Sequence, residues 1–202
     1  MAEPPHGDSN GEPAESSPTL LAAGQHYHQA GDLGQAEDHY RRALEADPNR
    51  EDVARYYAYL LDTQGRKQEA RQILEDVLNR QPDNPLAISQ YANFLLRMGE
   101  TQEADSLLAK ALEDHPRDRS LLTSAARLLH RTDRYQEAMD RYRQALEVSP
   151  HDLHLLLELA RVELESGQVE AAAWHVDRVR HHFGVMNHNV ARPMSYMNRF
   201  LP

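Results

Sequence analysis

Cysteine is missing from all 202 residues. Its absence removes disulfides, thiolate metal sites and a cysteine nucleophile together, and a reducing compartment, the cytoplasm, is the simplest setting for such a chain. Lysine is nearly missing too: of 22 cationic residues only Lys67 and Lys110 are lysines. Positive charge as a whole is short, with 32 acids against those 22 cations and a formal net charge of −10. That balance is the reverse of a nucleic-acid footprint, so no nucleic-acid partner is expected. No apolar run reaches the length of about 18 residues that a spanning helix needs, so membrane insertion is not expected either. A glycine-rich phosphate loop, a G-x-S-x-G elbow and an H-E-x-x-H pair are all lacking, and with them the usual signs of an enzyme or a bound cofactor.

The opening stretch, MAEPPHGDSNGEPAES, contains three prolines, four acids and no cation. Residues 1–16 are therefore expected to form a disordered acidic leader. It has neither the basic and apolar regions of a secretory signal nor the arginines of a transit peptide.

What the chain has is a period. Ala36, Ala70, Ala104, Ala138 and Ala172 recur every 34 residues without insertion or deletion. Gly24, Ala58, Ala92, Ala126 and Ala160 lie twelve residues before them, and Gly31, Gly65, Gly99, Asp133 and Gly167 lie five before. Pro48, Pro82, Pro116 and Pro150 follow the first four alanines by twelve residues. A fixed period of this length marks a repeat architecture.

Each unit reads as a helix A, a short turn and a helix B, with small residues where the two backbones approach closely. The proline near each unit's end biases the preceding residue away from helical geometry, and an Asn or Asp just after it is expected to cap the next helix. The reading is all-α, antiparallel helix pairs stacked as an α-solenoid, with repeats at 17–50, 51–84, 85–118, 119–152 and 153–184. One hairpin cannot bury its own apolar stripe, so neighbours share a core. Residues 185–202 hold no acid, and Val190, Met194, Met197 and Leu201 recur at helical spacing behind Pro193. They read as a C-terminal capping helix or as a docking tail.

Gly24, Tyr27, Gly31, Ala36, Tyr40, Ala43 and Pro48 together resemble the tetratricopeptide repeat (TPR) family, over about residues 17 to 184. Later copies depart from the pattern: Leu74 and Leu108 replace the helix B aromatic, and Gly184 stands where a fifth proline is due. The resemblance implies a right-handed superhelix whose helix A residues line a concave groove for peptide or protein ligands. Some TPR domains seize the C-terminal carboxylate of chaperones with two Asn and three basic residues over three helices. No three consecutive repeats supply that set here; Arg55, for example, is followed by Tyr59, Gln90, Ser120 and Ser124.

By helical periodicity the groove side carries Arg55, Tyr56 and Tyr59, then Asn93 and Arg97, then Arg127, His130 and Arg131, then Arg161. Arg97, Arg127, Arg131 and Arg161 read as a cationic stripe suited to an acidic ligand. Twelve histidines invite a metal reading. The pairs His26 with His28 and His151 with His154, and the group His175, His181 and His182, lack further ligands at defined spacing, so no metal is expected. Two functions stand at this point: a protein-interaction adaptor binding a peptide or protein segment, or an assembly protein that forms homo-oligomers through its ends and C-terminal tail.

Overall fold

The computed structural model describes residues 16–186, and among them the chain is helical without strands. The helices are α1 (Ser17–Ala30), α2 (Leu33–Ala46), α3 (Glu51–Thr63), α4 (Lys67–Arg80) and α5 (Pro85–Met98), then α6 (Thr101–Asp114), α7 (Arg119–Arg131), α8 (Tyr135–Val148), α9 (Leu153–Glu165) and α10 (Val169–Met186). Odd-numbered helices correspond to helix A and even-numbered ones to helix B. The leader expected over 1–16 lies outside the described residues except for Ser16, and so does the C-terminal segment beyond Met186.

Turn chemistry explains the spacing of the helices. Gly31, Gly65, Gly99 and Gly167 adopt φ of 82°, 79°, 84° and 86°, and Asp133, in the same register, adopts 59°. A left-handed residue is the ordinary way to end a helix and reverse the chain; glycine takes that conformation without strain, and an aspartate does so at some cost. At the other end of each unit, Asp47, Gln81, His115 and Ser149 leave helical geometry with ψ of 96°, 63°, 61° and 76°. Each precedes a proline, whose ring clashes with a helical neighbour.

The caps follow the expectation in three cases of four. Asp118 accepts from the backbone N–H of Ser120 and Leu121 at 2.9 and 3.0 Å, and Asp152 from those of His154 and Leu155 at 3.0 and 3.2 Å. Asn84 accepts from Leu86 N–H at 2.9 Å ahead of α5. Asn49 does not cap α3; the cap position belongs to Arg50, which makes no cap bond and instead donates to Asp52 at 2.8 and 2.6 Å. The acid has moved into the first helical turn, where Arg50, ahead of the smaller opposing effect of burial, holds the Asp52 carboxyl below the usual range.

Contacts divide the chain into two compact units, Met1–Met98 and Gly99–Pro202. The division falls inside the third expected repeat, between α5 and α6. In the first unit α1 packs on α2, α2 on α3, α3 on α4 and α4 on α5. Leu60, Leu61, Phe94 and Leu95 are all but fully buried there, each such burial being worth about 1.5–3 kcal/mol. Gly24 allows the Tyr40 ring to lie directly against α1, since a Cβ at that site would come 2.5 Å from Tyr40 Cε1.

In the second unit α6 packs on α7, α7 on α8, α8 on α9 and α9 on α10. Its core gathers Leu122, Met139, Tyr142, Leu155, Leu159 and Val162. Glu163 is also fully buried, although its register partners 34 residues apart are Leu129, Leu95, Leu61 and Tyr27. His175 Nδ1 lies 2.8 Å and Arg143 3.4 Å from its carboxylate, which supplies the counter-charge such burial requires.

Candidate functional site

In the first unit, α1, α2 and α3 build an aromatic platform. Arg55 lies with its guanidinium carbon 4.0 Å from the centre of the Tyr56 ring, within cation–π range. Tyr56 stacks on Tyr40 at 6.2 Å with only 18° between the ring planes. Tyr40 in turn meets His28, hydroxyl to Nδ1, at 3.4 Å, and the His28 ring sits 5.9 Å from that of Tyr59. Tyr59 is 49% exposed. Burial, reinforced by Tyr56 and opposed by Arg55, pushes the Tyr40 phenol up to about 12.

On α5, Asn93 is half-buried and Arg97 is exposed. Arg97 is engaged within the unit: its Nε lies 3.4 Å from Asp62, and its guanidinium carbon stands 5.6 Å from the Phe94 ring centre. Ser89 on the same helix is buried and donates its hydroxyl to the Pro85 carbonyl at 2.7 Å.

In the second unit Arg127 is half-buried and Arg131, one turn further along α7, is exposed. His130 is 9% exposed, with Nε2 at 2.6 Å from Glu165 and Nδ1 at 3.5 Å from Arg161. Arg161 donates to Glu158 at 2.5 Å. Arg161 and Arg97 thus carry carboxylate partners, whereas no carboxylate among the described residues pairs with Arg127 or Arg131. Beneath them Tyr142 is fully buried and its hydroxyl has no hydrogen-bond partner among the described residues. Burial raises its phenol well above the usual value; Glu158 adds to that, and Arg127 and Arg161 oppose it.

Several of the histidines that suggested a metal have other partners. His154 faces Glu158 at 3.6 Å, His175 serves Glu163, and the His26 ring meets that of Tyr27 edge-on at 5.8 Å. Among the described residues no group of three or more ligating side chains could hold a metal ion. A shallow cleft of about 490 Å³ lies at the α7–α8 turn, lined by Asp133, Tyr135, Glu137 and Glu165 among others. Tyr135 donates to Asp133 at 2.8 Å, and Arg134 holds Glu137 at 2.6 and 2.7 Å.

Periodicity did not single out His28, Tyr40, Asp62, Tyr142 or Glu165 as site residues. A signal existed for some of them: His28, Asp62 and His130 occupy one register position, 34 residues or a multiple apart.

A tetratricopeptide repeat family model matches residues 27–89, 64–129 and 129–183. No curated protein sequence matches the chain. Among solved structures, a thermophilic TPR protein of Thermus thermophilus is similar with a TM-score of 0.67 and 17% identity, over 81% of this chain and 89% of that one. PilF of Pseudomonas aeruginosa is similar with a TM-score of 0.63 and 20% identity, over 82% and 75% of the two chains. MamA residues 41 to the end from Desulfovibrio magneticus RS-1 gives 0.57 and 15%, over 85% and 97%. At these identities the likeness shows the fold alone.

Proposed function

The chain belongs to the tetratricopeptide repeat family, and from that footing we propose that it is a non-catalytic adaptor whose helix A faces bind an extended, acid-bearing segment of another protein. The fold supports a protein-interaction or scaffold role. The observation that carries the finer reading is the platform on α3, where Tyr59 stays half in solvent beside His28 while Arg55 lies over Tyr56. Aromatic surface held rigid before a ligand arrives gives contact area at little entropic cost. Arg127 and Arg131 supply charge-assisted hydrogen bonds to carboxylates. Among the described residues no helix is long and apolar enough to cross a membrane. We place the adaptor in the cytoplasm, in keeping with the absence of cysteine.

Cross-linking in the source cell supplies the partner segment, and calorimetry then measures its affinity for variants. Tyr59→Ala and the pair Arg127→Glu with Arg131→Glu are expected to weaken binding more than tenfold each, and added salt to weaken the unaltered complex in parallel with the arginine pair. Arg41→Glu and Arg141→Glu, on helix B, are the controls. If the controls release the segment and the helix A variants keep it, the ligand uses another face.

A second reading, self-association, rests on Trp174. It is 59% exposed on α10, where the same register position elsewhere holds Asp38, Gln72, Ser106 and Asp140. Arg178 lies over its ring at 4.9 Å. Mass that rises with concentration in light scattering, and does so no longer in Trp174→Ala, distinguishes this reading from the first.

A further inference from the structure

Two tyrosine and histidine pairs in this chain share one spacing and differ in outcome. Tyr40 follows His28 by twelve residues, and Tyr142 follows His130 by twelve. In the first pair the hydroxyl meets the imidazole at 3.4 Å. In the second the imidazole is drawn away: Glu165, the last residue of α9, takes Nε2 at 2.6 Å, and Arg161 approaches Nδ1 at 3.5 Å. Tyr142 is left with a fully buried hydroxyl and no partner among the described residues. Buried hydroxyls nearly always have one, and an orphan therefore asks for an explanation.

The charged groups that bear on that hydroxyl are Glu158, Arg127 and Arg161; Arg127 is close enough to donate to its oxygen but cannot accept, so the hydroxyl's own proton is what lacks a partner. Glu158 is already bound to Arg161. No carboxylate among the described residues pairs with Arg127, and Arg131 sits four residues further along the same face of α7. Two guanidinium groups against one carboxylate leave the surroundings of the hydroxyl with excess positive charge.

We propose that the Tyr142 hydroxyl and the Arg127 guanidinium form a seat for one carboxylate, an aspartate or glutamate side chain of the bound segment. This rests on the reading that the helix A face binds such a segment, and it names the group that the face selects. Arg127 swings outward as the ligand enters, the hydroxyl donates to one carboxylate oxygen, and Arg127 donates to the other. Two donors on one anion, one of them a hydroxyl already shielded from water, make charge-assisted bonds of the strong kind.

Three fluorescent probe peptides test this on the full chain by anisotropy: an end-blocked peptide carrying four glutamates, its all-glutamine counterpart, and the glutamine peptide with a free C-terminal carboxylate. The glutamate peptide is expected to bind at least tenfold more tightly than either glutamine peptide. Tyr142→Phe is expected to weaken it about fivefold, the loss of one charge-assisted bond, while leaving the melting temperature unchanged or higher, because an unpaired buried hydroxyl is removed. Arg127→Gln weakens it tenfold or more, and Arg41→Gln leaves it unchanged. Equal binding of all three peptides overturns the proposal, as does a preference for the free C-terminus. An unaltered affinity in Tyr142→Phe does so too, and so does a lower melting temperature, which would give the hydroxyl a structural bond instead. If Tyr59→Ala still releases the cross-linked partner segment in any of those cases, the groove reading stands and only the carboxylate seat falls; if it does not, both fall.

Discussion

A methyl group added at Gly24 would press 2.5 Å from Tyr40 Cε1, and Tyr40 cannot retreat because Tyr56 stacks on it and His28 holds its hydroxyl. Gly24→Ala should therefore destabilise the protein by about 1–3 kcal/mol, the overpacking range. Gly34, in the first turn of α2, has only Asp32 Oδ1 near its missing Cβ, at 3.8 Å. There the same substitution should stabilise by about 0.4–1 kcal/mol, through the unfolded chain. Urea unfolding of the two variants decides it: equal shifts would mean that the ring does not set the spacing of α1 and α2. Residue identity also qualifies the choice of controls for binding. Arg71 and Arg143 lie on helix B, but Arg71 donates to Tyr91 at 3.1 Å and Arg143 pairs with the buried Glu163, so reversing either charge disturbs the core as well as the surface.

Helices were legible in the sequence because their ends are set by local chemistry: left-handed glycines, residues before proline, and capping carboxylates. Asp118→Ala and Asp152→Ala should each cost about 1 kcal/mol, the usual worth of an N-cap, in thermal or urea unfolding. Asn49→Ala should cost much less, since the Asn49 side chain does not cap α3; a loss as large as that of Asp118→Ala would show that it acts on the helix start after all. Periodicity identified the face of each helix but not what its side chains do there. His130 and Glu165 are 35 residues apart, as are Arg97 and Asp62, so these pairings join adjacent repeats. A 34-residue period places both partners on known faces and leaves the pairing to rotamers and length, which spacing does not encode. For that reason the arginines were found from the sequence and their carboxylate partners were not, and Tyr142, a core position by register, gave no sign of an unused hydroxyl.

Across the whole molecule, buried phenols tie stability to alkaline pH. Burial raises the Tyr40 phenol to about 12, and raises those of Tyr57 and Tyr142 as well, against an ordinary value of 10.0. A raised acid is held protonated in the folded state, so its contribution is complete below about pH 10 and is lost as pH climbs from there through about 12. Phenolate absorbance from these residues should accordingly rise together with the loss of helical circular dichroism, and Tyr40→Phe should move the alkaline midpoint upward. Phenolate appearing well before the helices melt would show that these hydroxyls reach solvent in the native state.

Arrays of near-identical units invite errors of copying, since a unit duplicated or exchanged by recombination still fits the general pattern. Glu163 makes the last unit an exception. Placed behind the second or third unit, its carboxylate would keep His175, which belongs to the same unit, but lose Arg143, whose register position there holds Glu75 or Ala109, and removing one partner of a buried charge is destabilising. The unit bearing Glu163 is thus spelled differently from the rest, and a gene that moved it behind the second or third unit would encode a less stable protein. The order of the units is protected by one acid.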